Sequence, residues 1–223
     1  MLKSHNNFSY MLIALLVFLI GVPMAIDLHL LPPGFIRLVA FSSLLAIGLW
    51  SLRESGHIFS TAVGFVIAGI VLNLLSTIFD QVVIVFASAL AMLAFLVIAA
   101  IVAMKQIAFD HKLSVNRIVG AVCVYLMLGV IWAILYSLLE AAVPGSFAGL
   151  TERIMDGGWG PDWVYFSFVT LTTLGYGDIL PLTSSARALA YFEAIVGQFY
   201  LAVLVAGLVG AYLSENQDRE RKP

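Results

Sequence analysis

The sequence has 223 residues, of which 62% are hydrophobic and 11% are charged, and its mean hydropathy is +1.04. Soluble domains are about 45–50% apolar and about 25% charged, so this composition excludes a disordered segment, a coiled coil and nearly every soluble enzyme. The formal net charge of −2 excludes the basic face that binding to nucleic acid requires. The composition therefore predicts an integral membrane protein with no nucleic-acid partner.

Long uncharged runs divide the chain into predicted membrane spans, because a helix needs about 20 apolar residues to cross the hydrocarbon core. The stretch between Lys3 and Asp27 is one such run. The run between Arg37 and Arg53 is shorter, but arginines at helix ends can extend their side chains to the interface. The six predicted membrane-spanning helices lie near residues 8–26, 35–53, 58–79, 81–104, 117–141 and 186–213.

The positive charges of the loops predict the orientation of these helices. With both termini in the cytoplasm, all but three of the 11 lysines and arginines face inward, the exceptions being Arg37, Arg153 and Arg187. Cytoplasmic loops of membrane proteins are enriched in lysine and arginine in this way. We therefore expect a multi-pass protein of the cell membrane, in contact with membrane lipids, with both termini in the cytoplasm.

A further apolar stretch, residues 161–173, lies between the last two spans and is too short to cross a membrane. Pro161 suits the first turn of a helix, and Asp162 complements the positive N-terminal end of the helix dipole. The stretch predicts a short helix that enters from the outer side and points its partly negative C-terminal end into the membrane.

Directly after this helix, residues 170–178 read TLTTLGYGD, in which Gly175 and Gly177 flank a tyrosine. Glycine adopts positive φ without steric cost, so such a segment can turn successive backbone carbonyls toward one axis. Carbonyl oxygens in that arrangement replace the water around a dehydrated cation. Irregular backbone of this kind is tolerated at membrane depth where it lines an aqueous path or is buried in protein.

The motif and the short helix before it resemble the signature of potassium channels, whose filter is written TVGYG, with Leu174 where valine is common. The resemblance implies an all-α membrane protein with six transmembrane helices and a re-entrant pore helix and selectivity-filter loop between the fifth and the sixth. It implies potassium as the permeant ion and no cofactor. The implied K⁺-coordinating residues are Thr173, Leu174, Gly175, Tyr176 and Gly177. Asp178 would lie at the outer mouth, where it concentrates cations or makes a structural hydrogen bond behind the filter.

The last helix carries the other candidate residues. Gly197 resembles the hinge of the inner helix in two-helix bacterial potassium channels, and close helix packing is the alternative role. Glu193 is the one carboxylate inside this apolar span. We interpret it as a brace for the pore loop, with a proton-sensing gate as the alternative. The predicted cavity and gate residues, which share one helical face, are Gln198, Leu201, Val205 and Val209.

The predicted regions are a peripheral four-helix region (1–104), a cytoplasmic linker (105–116), a pore domain (117–213) and a short cytoplasmic tail (214–223). The pore domain contains the outer helix, the pore helix 161–173, the filter 173–177 and the inner helix 186–213. The fourth predicted span carries no lysine, arginine, aspartate or glutamate, whereas a voltage sensor carries several arginines at this position. We therefore expect no voltage gating by that mechanism.

One chain supplies one filter segment, and a filter of this family is built from four. The sequence thus predicts a homotetramer that conducts potassium passively, and a protein of this kind is not an enzyme. A weakly selective cation channel is one alternative, because Leu174 is bulkier than valine. A non-conducting accessory subunit and a subunit of a potassium transporter are the others.

Overall fold

The computed structural model describes residues 7–28, 57–78, 82–109, 115–150 and 160–220. These residues are mostly helical, with one short pair of strands. The helices are α1 (Asn7–Leu16), α2 (Val22–Asp27), α3 (His57–Ile78), α4 (Val82–Phe109), α5 (Val115–Ala142), α6 (Pro161–Leu171) and α7 (Ser184–Glu220), and the strands are β1 (Phe147–Ala148) and β2 (Leu180–Pro181).

The helices follow the predicted order, and three of them run further than predicted. Helix α4 continues to Phe109 and α5 begins at Val115, so much of the predicted linker 105–116 is helical. Helix α7 continues to Glu220, through most of the predicted tail, because no glycine or proline interrupts it there. The second predicted span, 35–53, lies outside the described residues.

Four helical segments of the described residues are long and apolar enough to cross a membrane, as judged by length and composition. They are Phe8–Asp27, Phe86–Ile107, Val115–Ala142 and Ser184–Gly207. Helix α3 contributes a shorter apolar segment, Val63–Leu72. The chain is therefore a mostly helical membrane protein with four candidate spans in its described part.

The first span contains a π-helical turn, Val17–Gly21, between α1 and α2. Pro23 has no N–H to donate to the carbonyl of Leu19 one turn earlier, and its ring crowds that carbonyl. A widened turn before the proline relieves this crowding. The sequence thus interrupts the α-helical pattern of the first span without ending the helix.

Helix α5 is the centre of the packing, and its side chains are buried along most of its length. One of its faces packs against α1 and α4 in an apolar cluster that includes Phe8, Phe95 and Val124. Gly120 lets α1 come close, because a Cβ at this position would lie 3.0 Å from the Phe8 ring. This cluster attaches the N-terminal helix to the outer helix of the predicted pore domain.

The other end of α5 packs against α6 and the start of α7 in an aromatic cluster. Rings of Tyr136, Phe147, Trp163 and Phe166 meet edge to face, with centroids 4.8–5.5 Å apart. Such pairs contribute about 0.5–1.5 kcal/mol each beyond their buried area. The cluster positions α6 against α5 independently of the loop that follows α6.

The two short strands join the loop after α5 to the segment after the TLGYGD motif. They pair antiparallel, with Phe147 opposite Pro181 and Ala148 opposite Leu180. The backbone N–H of Leu182 also donates to the carbonyl of Ser146 at 2.8 Å. The motif is therefore held at both ends, by α6 before it and by this ladder after it.

We expect Gly129→Ala to destabilise the contact between α5 and α6. A Cβ on Gly129 would lie 2.5 Å from Cζ of Phe168, closer than any tolerated contact, and overpacking of this kind costs about 1–3 kcal/mol. The obstacle is the far end of the Phe168 side chain, so Gly129→Ala should cost much less stability when Phe168 is already replaced by alanine. Thermal unfolding in detergent measures Gly129→Ala in both backgrounds, and an equal loss of melting temperature in the two would contradict this packing.

Candidate functional site

Helix α6 begins at Pro161 and carries Asp162 in its first turn, as predicted from the sequence. It ends at Leu171, two residues before the predicted end at 173. The side-chain hydroxyl of Thr172 turns back to donate to the carbonyl of Phe168 at 2.6 Å. The backbone leaves the helix here, so Thr172 and Thr173 both lie beyond its end.

The segment after α6 folds back onto the C-terminal end of that helix. Backbone N–H groups of Leu174 and Gly175 both donate to the carbonyl of Val169, at 2.9 and 3.2 Å. Positive φ angles occur at Thr173 (59°), Gly175 (62°) and Gly177 (78°). The left-handed backbone therefore recurs at every second residue, the alternation that turns successive carbonyls to one side.

Sequence reasoning placed positive φ at the two glycines and missed it at Thr173. A β-branched residue in this region is a conformational outlier, and such strain concentrates at functional segments. All five predicted filter residues are exposed in the single chain, and Tyr176 is 68% exposed. The Tyr176 ring lies parallel to the ring of Tyr165 in α6, with centroids 6.4 Å apart.

Asp178 is exposed at the end of the motif and is held by two hydrogen bonds. The phenol of Tyr165 donates to Oδ2 at 2.5 Å, and the backbone N–H of Ile179 donates to Oδ1 at 3.0 Å. The bond from Tyr165 stabilises the ionised carboxylate and lowers the pKa of Asp178, while the same bond raises the pKa of Tyr165 to about 12. Asp178 thus combines an exposed charge with a structural bond to α6.

We expect Tyr165→Phe to raise the pKa of Asp178. The bond favours the ionised carboxylate, so its contribution is complete above the ordinary pKa of aspartate and is lost as the pH falls through the lowered pKa. Carbon NMR of ¹³C-labelled aspartate, assigned with Asp178→Asn, measures the titration. Tyr176→Phe is the matched control, because it removes a phenol from the adjacent ring without breaking this bond. An unchanged titration in Tyr165→Phe would contradict the assignment.

Glu193 is completely buried where α5, α6 and α7 meet. The phenol of Tyr136 in α5 donates to its Oε2. The hydroxyl oxygen of Ser167 in α6 lies 2.5 Å from its Oε1 and 2.7 Å from the carbonyl oxygen of Gly129. The carboxyl group therefore bonds to side chains of both α5 and α6.

Gly197 is the point of closest approach between α7 and the end of α6. A Cβ on this glycine would lie 2.4 Å from the carbonyl oxygen of Leu171 and 2.9 Å from its Cδ1. The glycine is needed for this contact, which gives direct support to a packing role. The same Leu171 carbonyl lies 3.5 Å from the phenol of Tyr125 in α5.

The predicted cavity face of α7 is exposed in the single chain. The side-chain amide of Gln198 reaches the predicted filter, where its Nε2 donates to the hydroxyl oxygen of Thr173 at 3.4 Å. Further along the helix, the other three predicted residues are also exposed, at Leu201, Val205 and Val209.

The end of α5 and the loop that follows it contribute two further residues to the support of the motif. Glu140 accepts hydrogen bonds from the backbone N–H groups of Gly145 and Phe147, at 2.7 and 3.1 Å, and so closes the turn before β1. Gly149 contacts the backbone at the end of the motif, because a Cβ there would overlap the carbonyl oxygen of Asp178.

The predicted filter residues 173–177 carry backbone carbonyl oxygens, and Thr173 and Tyr176 add hydroxyl oxygens. Across the described ranges, no group of three or more histidine, cysteine, aspartate or glutamate side chains is placed to hold a metal ion. Carbonyl and hydroxyl oxygens are hard ligands, typical of sites for alkali and alkaline-earth cations. The arrangement is chemically suited to a cation that exchanges its water for protein oxygen.

The sequence matches a family model described as "Ion channel" over residues 118–214. It is 37% identical over 76 residues to "Two pore potassium channel c" of Oryza sativa subsp. japonica, covering 33% of this chain and 15% of that protein. It is 32% identical over 100 residues to "Two-pore potassium channel 2" of Arabidopsis thaliana, covering 45% of this chain and 20% of that protein.

A further match is 34% identity over 104 residues to "Two pore potassium channel a" of Oryza sativa subsp. japonica, covering 46% of this chain and 26% of that protein. The chain thus spans about a quarter or less of the length of these curated relatives. No solved structure matches the chain significantly. The resemblance to potassium channels is confirmed by these matches, and the matched family is not a class of enzymes.

Proposed function

We propose that this protein, whose residues 118–214 belong to the ion channel family and are similar to plant potassium channels, conducts potassium passively and selectively across a membrane. The observation that carries the proposal is the alternation of left-handed backbone at Thr173, Gly175 and Gly177, directly after the C-terminal end of α6. This alternation lets carbonyls of successive residues replace the water around a potassium ion.

The pore is formed by four copies of the chain. One chain offers a single filter segment, whose oxygens surround an ion only when several copies share an axis. Two features of the single chain support this assembly. The filter residues are exposed, and α7 carries large side chains that stay mostly exposed in the single chain, among them Tyr191, Phe192 and Phe199. In the tetramer these side chains are covered by neighbouring subunits or line the central cavity.

Each predicted site residue has a role in this pore. Thr173 to Gly177 coordinate potassium, with the innermost site completed by the Thr173 hydroxyl that Gln198 contacts. Asp178 places a carboxylate from each subunit around the outer mouth, where it raises the local concentration of cations. The exposed face of α7 from Gln198 to Val209 lines the cavity and the inner gate.

Helix α6 is re-entrant, between the fifth and sixth of six spans, and both termini of the chain lie in the cytoplasm. Its positive end faces the outer side and its negative end faces the cavity, where the helix dipole favours a dehydrated cation. The residues before the pore domain form the peripheral helices that surround it, as the packing of α1 and α4 on α5 supports.

We expect the open probability to be insensitive to voltage. The predicted fourth span, 81–104, has no charged residue, and a charge must move through the membrane field to gain about 2.3 kcal/mol per 100 mV. Single-channel recording of purified protein across a range of voltages measures this directly. A steep dependence of open probability on voltage would contradict the expectation.

The proposal is tested with purified protein in liposomes that contain KCl and are diluted into a sodium salt. Potassium efflux that requires the protein and occurs without an added ionophore supports a channel. Native mass spectrometry of the same sample should give the mass of four chains. A weakly selective channel, which the larger Leu174 would favour, dissipates the potassium and sodium gradients together. Absence of efflux from vesicles that contain assembled tetramers would overturn the proposal in favour of an accessory subunit.

A further inference from the structure

The hydrogens available around Glu193 determine which group donates in each of its contacts. A hydroxyl group carries one hydrogen, and a backbone carbonyl oxygen can only accept. The hydroxyl oxygen of Ser167 is 2.7 Å from the carbonyl oxygen of Gly129, so Ser167 must donate its hydrogen there. The 2.5 Å contact between Ser167 and Oε1 of Glu193 then needs a hydrogen from Glu193.

We propose that Glu193 is a neutral carboxylic acid, and that its proton joins the inner helix α7 to the pore helix α6. The hydrogen bonds then run in one direction, from the Tyr136 phenol to Oε2, from Oε1 to Ser167, and from Ser167 to the Gly129 carbonyl. An ionised Glu193 would accept the only hydroxyl hydrogen of Ser167. The Ser167 hydroxyl oxygen and the Gly129 carbonyl oxygen would then lie 2.7 Å apart with no hydrogen between them. Glu193 is thus a positioning residue for the segment that follows α6.

The surroundings of Glu193 supply no positive charge among the described residues. The titratable groups that face it from α5 are the phenols of Tyr136 and Tyr125, which are neutral at physiological pH. The residue that faces it from α6 is Ser167, which does not titrate. A completely buried carboxylate without a counter-ion is strongly disfavoured by the loss of its hydration, and a neutral acid with both oxygens bonded avoids that penalty.

Two substitutions separate a neutral acid from a carboxylate at this position. Glu193→Gln preserves the pattern, because the amide N–H₂ donates to Ser167 and the amide oxygen accepts from Tyr136. Glu193→Ala removes both bonds and leaves the Tyr136 phenol without its acceptor. We expect the glutamine variant to keep the melting temperature and the potassium flux of the wild type. The alanine variant should melt at a lower temperature and conduct little potassium.

Infrared difference spectroscopy of the purified protein tests the proton itself, without any assumption about conduction. At neutral pH free carboxyl groups are ionised, so the wild type minus Glu193→Gln spectrum should show one C=O stretch of a protonated carboxyl. The same band should shift in wild type labelled with ¹³C-glutamate, and its frequency should change in Ser167→Ala. These two measurements remain decisive if the glutamine variant fails to fold. Absence of a protonated-glutamate band from the labelled wild type overturns the proposal.

The potassium flux of the same samples adds a second readout, which rests on the proposed function. Flux through the wild type should fall at alkaline pH, as the proton that joins α7 to α6 is lost, and flux through Glu193→Gln should not. Equal alkaline loss in both proteins would overturn the role of this proton in positioning the filter. A protonated band in a protein without any flux would instead reject the channel function and leave the proton in place.

Discussion

Gly177→Ala is expected to reduce potassium flux by about three powers of ten or more while the tetramer still assembles. Alanine at the φ of 78° observed here is strained, at roughly 1–2 kcal/mol per residue. Four subunits contribute this penalty to one filter, so the conducting geometry is disfavoured by roughly 4–8 kcal/mol in total. Each 1.4 kcal/mol lowers the population of that geometry about tenfold. Flux from potassium-loaded liposomes and native mass spectrometry give the two readouts.

Gly145→Ala is the matched control for this experiment. Gly145 has a φ of 82° and, like Gly177, has open space where a Cβ would be added. The two variants therefore carry the same local strain, one in the filter and one in the turn between α5 and β1. A similar small loss of thermal stability in both, with loss of flux only in Gly177→Ala, supports the filter assignment. Normal selective flux through Gly177→Ala would contradict it.

Gly197→Ala is expected to destabilise the protein by about 1–3 kcal/mol per subunit and to impair conduction. The added Cβ would lie 2.4 Å from the backbone carbonyl oxygen of Leu171, and backbone at the end of α6 cannot move aside as a flexible side chain can. The inner helix must therefore shift away from the segment that α6 positions. The melting temperature and the potassium flux of the purified variant measure the two effects.

Gly207→Ala, in the same helix, separates this packing role from general effects of alanine. Nothing lies within 4 Å of a Cβ at Gly207, and alanine favours a helix over glycine by about 1 kcal/mol. We expect unchanged or slightly increased stability there. A hinge role for Gly197 predicts the opposite outcome, in which Gly197→Ala alters gating while its stability stays at or above that of the wild type.

The membrane helices could be predicted from the sequence because long uncharged runs have one stable structure in a bilayer. The beginnings of α3 and α5 lie within two residues of those predicted at 58 and 117. The ends of α4 and α7 could not be located in the same way, because beyond the apolar run helical propensity decides whether a helix continues into water. The π-helical turn depends on the missing N–H and the bulky ring of Pro23, and a hydropathy pattern contains no information about either.

The candidate site was predicted as a backbone motif, and its supporting side chains were not. The TLGYGD pattern is local, so the positive φ at Gly175 and Gly177 followed from glycine itself. Tyr136 and Ser167 contact Glu193 across 57 and 26 residues of sequence, and a single sequence does not specify which helical faces meet. A structural hydrogen bond was one of the two expected roles of Asp178, but its donor, Tyr165, could not be named, because the path of the irregular backbone after α6 does not follow from the sequence.

Potassium selectivity is measured most simply as the reversal potential of purified protein in a bilayer with KCl on one side and NaCl on the other. We expect a reversal potential near the potassium equilibrium value, carried by currents that Gly177→Ala removes. A reversal potential near zero, from currents that are present in the wild type and absent from the variant, would contradict potassium selectivity and leave a cation pore with little preference between the two ions.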